Sequence, residues 1–218
     1  MNLTLLGHAC VRFEKDGSTL VVDPGAFSAT DALEGATAVL VTHEHVDHVV
    51  PDELRAALTG RPELEVWAPE AVATAVVDDD DAVASRVHAV SPGDHVDVAG
   101  FSVDVVGEKH AVIHPDVPQI ANVGYLVDGA VLHPGDALIV PDGEIELLLV
   151  PVAGPWLKAA EAIDYVRAVR ARRAVPIHDA ILTDAGKSLV DGLLGERGPG
   201  TEGTQYARVQ PGQTITVG

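Results

Sequence analysis

Four side chains able to bind a metal ion lie within six consecutive residues, in the pattern His43-x-His45-x-Asp47-His48. Imidazole nitrogens and carboxylate oxygens are ligands that suit Zn²⁺, Mn²⁺ and iron. Two histidines separated by one residue can bind the same ion where the backbone turns, and the Asp-His pair that follows can then reach a second ion. A carboxylate that bridges two such ions completes a site that activates water. The pattern therefore predicts a dinuclear metal site.

Other histidines and aspartates follow directly after predicted strands. The predicted strands at residues 38–42, 101–107, 130–132 and 174–177 each run into a segment that contains His or Asp. Beyond the first cluster, the residues concerned are His110, His133, Asp136 and His178. Because a rigid sheet fixes the chain while loops supply exposed side chains, binding groups collect at strand ends. We therefore expect these residues to lie close to the cluster.

Two histidines on one loop, His110 and His114, compete for a place in this site. His110 directly follows the predicted strand, so its position favours it as the ligand. His114 is then a candidate substrate contact, or else a loop histidine without a role in the site.

The pattern at residues 43–48 resembles the signature of the metallo-β-lactamase superfamily, His-x-His-x-Asp-His after an apolar strand, and matches it position for position. The later ligands also follow in the expected order, so the resemblance covers essentially the whole chain. The Leu6-Gly7-His8 opening and the Val175-Pro176-Ile177-His178 ending are most similar to the ascorbate-6-phosphate-lactonase-like branch of small metal-dependent hydrolases.

This resemblance implies two divalent metal ions, with zinc the first choice and manganese or iron as alternatives. The implied ligands are His43, His45 and His110 for the first ion and Asp47, His48 and His178 for the second, with Asp136 bridging. The resemblance also implies that a bridging hydroxide, oriented by Asp47, attacks an ester, lactone or phosphodiester of a small molecule. The implied fold is α/β (α+β), a four-layer αβ/βα sandwich of two mixed sheets with helices on the outer faces. Residues 1–218 form it as a single domain.

Several further residues have both a functional and a structural interpretation. His8 follows the first predicted strand and is a candidate for substrate contact or acid catalysis, or a structural histidine. Asp23 ends a strand and is a candidate acceptor that orients a metal-bound imidazole. Trp156 stands at a loop-to-helix junction, where it could line the substrate pocket or pack in the core. For His133 the sequence leaves core packing and support of the site as alternatives.

Two rival functions use the same fold. A non-hydrolytic metal-binding protein would lack one or more ligands, and none is missing from the pattern. A di-iron redox protein usually has Glu in place of one His of the signature and a flavin domain beside it. Here position 45 is His, and no residues remain for a second domain.

Composition limits the partners. The 218 residues are 47% hydrophobic and 22% charged, which is typical of a globular domain. The net charge of −19 argues against nucleic acid as a partner. No apolar run approaches the ~20 residues of a membrane helix, and the N-terminus lacks a basic segment, so we expect no membrane association and a cytoplasmic location. The sequence leaves open whether the chain forms a homo-oligomer.

The elements that must position these residues are short. Apolar and β-branched runs alternate with turns, and Asp16-Gly17 and Asp128-Gly129 are typical of tight hairpins. Helices are predicted from Pro51, over residues 155–172 and over residues 185–194. Cys10, the single cysteine, lies in an apolar run and is expected to be a buried, inert thiol.

Overall fold

Two seven-stranded β-sheets form the centre of the computed structural model, which describes residues 1–199 and 201–218. The first sheet contains β1 (Asn2–Leu5), β2 (Val11–Lys15), β3 (Ser18–Val22), β4 (Ala38–Leu40), β5 (Glu65–Ala68), β6 (Val87–Ala89) and β14 (Thr214–Thr216). The second contains β7 (His95–Val98), β8 (Phe101–Val106), β9 (Gly124–Val127), β10 (Val131–His133), β11 (Leu147–Pro151), β12 (Arg173–Ile177) and β13 (Gln205–Tyr206). The helices are α1 (Pro51–Gly60), α2 (Glu70–Val77), α3 (Asp81–Ala84), α4 (Ala159–Val169) and α5 (Asp184–Leu194).

The two sheets repeat one topology. The first runs β14-β1-β2-β3-β4-β5-β6, antiparallel as far as β3 and parallel beyond it. The second runs β7-β8-β9-β10-β11-β12-β13, antiparallel as far as β10 and parallel beyond it. Strand β14 therefore takes in the first sheet the place that β7 takes in the second, and the chain's last strand pairs with its first, Leu3 opposite Ile215.

Three apolar clusters show four layers. One cluster contains residues of both sheets and lies between them. A second joins the first sheet to α1, α2 and α3, and a third joins the second sheet to α4 and α5. In β3, Leu20 and Val22 belong to the central cluster and Val21 to the outer one, because alternate residues of a strand face opposite sides. The predicted four-layer sandwich is confirmed.

Few aromatic side chains serve this core, and two of them meet between the sheets. The rings of Phe13 and Phe101 lie edge to face with their centroids 6.3 Å apart. Tyr125, on β9, is fully buried and its hydroxyl donates a hydrogen bond of 2.8 Å to the carbonyl oxygen of Val41, in the other half of the chain. Cys10 is buried as expected, and burial raises the pKa of its thiol to about 12.

Both predicted hairpins are confirmed, since Asp16-Gly17 joins the antiparallel pair β2 and β3 and Asp128-Gly129 joins β9 and β10. The helix predicted over residues 155–172 is shorter. It begins at Ala159, where the Lys158 amide donates to the side chain of Glu161, and it ends at Arg170, whose φ is 55°. The sequence analysis did not predict α2 and α3. Within the described residues, none of the helices has the length and hydrophobicity to cross a membrane.

The loop after β3 packs directly on the loop that carries the histidine cluster. The amide of Ala26 donates to the carbonyl oxygen of Val46 at 2.8 Å. A Cβ atom added at Gly25 would lie 2.1 Å from the carbonyl carbon and oxygen of Asp47 and 2.4 Å from the amide nitrogen of His48. Only glycine allows this approach, so Gly25 determines how closely the two loops pack.

Gly25→Ala should therefore destabilise the protein, because the methyl group overlaps backbone that cannot move without shifting the cluster. We expect a loss of roughly 1–3 kcal/mol in the free energy of unfolding, measured by urea denaturation. Gly60→Ala is the matched control, since a Cβ atom there meets nothing within 4 Å and alanine suits the end of α1. Equal stability of the two variants would show that the close packing of the loops is unimportant.

Candidate metal centre

Eight side chains gather where several strands of the two sheets end. Among the described residues, two groups have ligand atoms that all lie within 4.8 Å of one another. The groups are His43, His45, His110 and Asp136, and His8, Asp47, His48 and His178. The structure thus brings together the seven side chains that the sequence analysis expects as ligands, with Asp136 in the first group, and adds His8 to the second.

The carboxylate of Asp136 contacts both groups. Its Oδ2 lies 3.3 Å from Nε2 of His110 in the first group. Its Oδ1 lies 3.1 Å from Nε2 of His48, and Oδ2 lies 3.0 Å from Nε2 of His178, both in the second group. One carboxylate with an oxygen near each group is the arrangement that a bridging ligand requires.

Several of these buried atoms have no hydrogen-bond partner. They are Nε2 of His48, Nε2 of His110, both ring nitrogens of His178 and Oδ1 of Asp136. Although the three Nε2 atoms lie within 3.3 Å of oxygens of Asp136, the angles do not allow hydrogen bonds. Buried polar atoms are costly without partners, and lone pairs that converge in this way fit a cation. The residues present therefore fit divalent metal ions.

Asp23 lies behind His48, in the position expected for a residue that orients a ligand. Its Oδ2 accepts a hydrogen bond of 2.7 Å from Nδ1 of His48. The same carboxylate accepts bonds of 2.7 Å from the backbone amide and from the hydroxyl of Thr42. Because Nδ1 of His48 is held as a donor, Nε2 is the nitrogen left to bind a metal ion.

Three further residues hold Asp136 in position. The sequence analysis gave none of them this role. The side chain of Asn122 accepts from the Asp136 amide at 2.9 Å and donates to the carbonyl oxygen of Pro134 at 2.9 Å. Gly135 has a φ of 61°, and a Cβ atom there would lie 2.4 Å from Oδ1 of Asn122. The indole of Trp156 donates to Oδ2 of Asp136 at 3.0 Å. Trp156 is buried beside the carboxylate, and its place on the wall of the substrate pocket stays a prediction.

His8 is held at both ring nitrogens, and its side chain is fully buried. The backbone amide of Ala180 donates to Nδ1 at 3.2 Å, so in the neutral ring Nε2 carries the proton and donates to Oδ2 of Asp47 at 3.0 Å. The carbonyl oxygen of His8 accepts a hydrogen bond of 3.0 Å from the amide of His178. Both histidines have left-handed backbone, with φ of 51° and 59°, a strained conformation typical of functional sites.

Electrostatics keep the carboxylates ionised. Burial opposes ionisation of Asp47, but the nearby imidazoles of His178 and His8 outweigh it and hold the pKa of Asp47 well below its usual range. Burial likewise opposes ionisation of Asp136, and the neighbouring charge of His48 leads the effects that lower its pKa. Burial lowers the pKa of His48, yet Asp23 and Asp136 outweigh burial and raise that pKa to about 10. The two site carboxylates are therefore available as anions.

The remaining histidines lie apart from the ligand groups or behind them. His114 is exposed, and its Nδ1 accepts from the amide of Asp116 at 3.1 Å, so the structure gathers His110 and leaves His114 outside. His133 is buried, donates from Nε2 to the carbonyl oxygen of Ala9 at 2.8 Å, and accepts at Nδ1 from the amide of Gly135 at 3.2 Å. His133 thus joins the first sheet to the turn that carries Asp136.

Comparison with known proteins gives both sequence and structural matches. The family model described as the β-lactamase superfamily domain matches residues 2–178. Protein Rv0786c of Mycobacterium tuberculosis is 39% identical over 202 residues, covering 90% of this chain and 92% of the relative. A UPF0173 metal-dependent hydrolase of Methanopyrus kandleri is 28% identical over 204 residues, covering 82% of this chain and 84% of the relative. The structure of Igni18, a metallo hydrolase of Ignicoccus hospitalis, superposes with a TM-score of 0.69 at 18% identity, covering 98% of this chain and 97% of that one.

Metal analysis tests the site. Protein loaded with Zn²⁺ or Mn²⁺ and freed of excess by gel filtration should retain about two ions per chain, measured by inductively coupled plasma mass spectrometry. Asp136→Ala should lose both ions, since both groups share this carboxylate. Asp104→Ala is the control, because it removes the exposed carboxylate that contacts His95 at 2.7 Å and should keep both. Retention of both ions by Asp136→Ala would contradict the bridging role.

The same measurement separates the two histidines of one loop. His110→Ala should reduce the metal content, because its imidazole lies among the ligand atoms of the first group. His114→Ala should leave the metal content unchanged, because its imidazole is exposed. The reverse result would show that the ligand is His114.

Proposed function

The chain belongs to the metallo-β-lactamase superfamily, and we propose that it is a dinuclear metal-dependent hydrolase of an ester, lactone or phosphodiester of a small molecule. The observation that carries this proposal is the Asp136 carboxylate, with its oxygens 3.0–3.3 Å from imidazoles of both groups. The Methanopyrus kandleri relative, which is described as a metal-dependent hydrolase, supports the same reaction class.

The first ion would be held by one set of imidazoles and the second by the other. The proposed ligands are His43, His45 and His110 for the first ion, Asp47, His48 and His178 for the second, and Asp136 for both. Two bound divalent ions, zinc foremost with manganese or iron as alternatives, supply a water that is ionised near neutral pH and positive charge for the developing oxyanion.

Asp47 is the most accessible of the site carboxylates. Its side chain is 20% exposed, whereas that of Asp136 is 3% exposed and that of Asp23 is fully buried. An ionised carboxylate at the open side of the site can accept a hydrogen bond from the attacking water and hold it in place. We assign this orienting role to Asp47.

His8 acts through Asp47 and is a positioning residue in this proposal. Its Nε2–H group donates to Oδ2 of Asp47, and the amide of Ala180 fixes the tautomer that makes this possible. A fully buried ring with both nitrogens engaged is poorly placed to meet a substrate. The bond from His8 therefore determines which way the Asp47 carboxylate faces.

Charge and donor types bear on the substrate and on the metal ion. A net charge of −19 favours a small molecule over nucleic acid as the substrate. The predicted cytoplasmic location and the narrower resemblance to the lactonase-like branch remain predictions. Among the described residues, the donors in the two groups are imidazoles and carboxylates with no thiolate, which suits zinc and also manganese or iron.

Hydrolysis that depends on metal ions tests the proposal. Metal-loaded protein should hydrolyse at least one compound in a panel of p-nitrophenyl esters, lactones and bis(p-nitrophenyl) phosphate. EDTA treatment should abolish the reaction, and added Zn²⁺ or Mn²⁺ should restore it. Turnover that survives complete metal removal would refute the proposal.

The role of His8 has its own test. His8→Ala should lower kcat by about tenfold or more while KM changes little, because the carboxylate that orients water loses its donor. His8→Gln, which keeps an N–H donor, should recover part of the loss. The visible spectrum of the Co²⁺-loaded protein should change in His8→Ala and return towards the parent in His8→Gln. Identical spectra in all three proteins would contradict the positioning role.

A further inference from the structure

Exposed apolar side chains lie on the loops that carry the site residues. Val112, Ile113 and Val117 follow His110, and their exposed fractions are 58%, 36% and 46%. Val46, which is 62% exposed, stands between two proposed ligands in the sequence. Single exposed apolar residues are ordinary, but a group of them on the loops of a polar centre calls for an explanation.

The loop of residues 111–120 lines a small cavity, open to solvent, next to the first ligand group. The imidazoles of His45 and His110 form one part of its wall. Val112, Ile113 and Val117, with Ala111, Pro118 and Ile120, form the apolar part. The cavity therefore runs from the proposed metal centre into apolar surroundings.

No charged side chain lines this cavity. Its one polar side chain apart from the histidines is Gln119, whose amide donates to the carbonyl oxygen of His110 at 2.5 Å. That bond uses the amide within the loop. A charged or strongly polar group placed here would lose its hydration without gaining a partner, whereas a hydrocarbon group would gain by leaving water.

The carboxylates of the ligand groups form no ion pair with a Lys or Arg side chain among the described residues. Lys187 and Arg208, which lie near His8, are paired with Asp179. An anionic substrate usually meets Arg or Lys in its pocket, and neither lines this cavity.

We propose that the substrate is a neutral ester or lactone with a hydrocarbon group, and that this group lies in the small cavity of residues 111–120 and along the exposed side chains of Val112, Ile113 and Val117. The inference rests on the proposed hydrolytic function. The hydrocarbon group can reach the cavity only if the ester or lactone bond that is hydrolysed lies beside His45 and His110. Hydrolysis adds water across the acyl C–O bond and yields a carboxylate, an alcohol and a proton.

Compounds with one leaving group and different acyl chains test the inference on the metal-loaded full chain. The series is p-nitrophenyl acetate, butyrate and octanoate, with bis(p-nitrophenyl) phosphate as the anionic compound. The value of kcat/KM should rise at least about tenfold from acetate to octanoate, since each buried methylene favours binding. It should be lowest for the phosphodiester.

Val112→Asp places a charge on the apolar wall and should reduce the octanoate-to-acetate ratio of kcat/KM at least fivefold. Leu189→Asp is the matched control, because Leu189 is 62% exposed and lies on α5, outside the loops that carry the ligands. It should leave the ratio unchanged. Both substitutions lie on the surface, so circular dichroism should show folded protein in each case.

The outcomes separate the inference from the function it rests on. Metal-dependent hydrolysis with equal kcat/KM for all three esters, or with preference for the phosphodiester, would refute the inference and leave the hydrolase proposal standing. No metal-dependent hydrolysis of these compounds or of the lactones in the wider panel would overturn both. Sedimentation velocity tests whether the apolar loop instead binds a second copy of the chain. If the protein is a dimer that Val112→Asp dissociates, and the octanoate-to-acetate ratio does not change, the loop serves self-association and the inference is refuted.

Discussion

A buried, ionised carboxylate between two groups of imidazoles is the constraint on which the site depends. Asp136 has a side chain only 3% exposed, and its oxygens face His48, His110 and His178. Burying such a charge without compensation costs several kcal/mol. The Asp136 amide donates to Asn122 and the Trp156 indole donates to the carboxylate, and these bonds hold the residue in place but do not neutralise it. Compensation must come from positive charge at the centre, which protons on the imidazoles can supply in the free protein and metal ions in the loaded one.

This constraint also explains why both halves of the chain are needed. The first sheet supplies the loops with His8, Asp23 and the 43–48 cluster, and the second supplies those with Asp136 and His178. Two backbone hydrogen bonds join the halves near the site. The amide of Val123 donates to the carbonyl oxygen of Thr42 at 3.0 Å, and the amide of His178 donates to the carbonyl oxygen of His8 at 3.0 Å. Each ligand group has members from both halves, so a displacement of one sheet against the other would pull both groups apart.

The sequence predicted the sandwich and the seven ligands because both depend on patterns that lie within a few residues. Strand ends followed by His or Asp were visible directly, and His110, Asp136 and His178 meet where that pattern placed them. Contacts between segments that are distant in the sequence could not be predicted from such local patterns. The bond from Trp156 to Asp136 depends on α4 beginning at Ala159, later than predicted, and the tautomer of His8 depends on a backbone amide at position 180. Helix α2 was missed because it follows Pro69 and has no side-chain cap to mark its start.

The central claim is that one carboxylate joins two metal ions. Anomalous diffraction from crystals of the metal-loaded protein measures this directly. The account predicts two peaks about 3.5–4 Å apart, one beside His43 and one beside His48, with Asp136 in contact with both. A single peak, or two peaks of which only one touches Asp136, would contradict it.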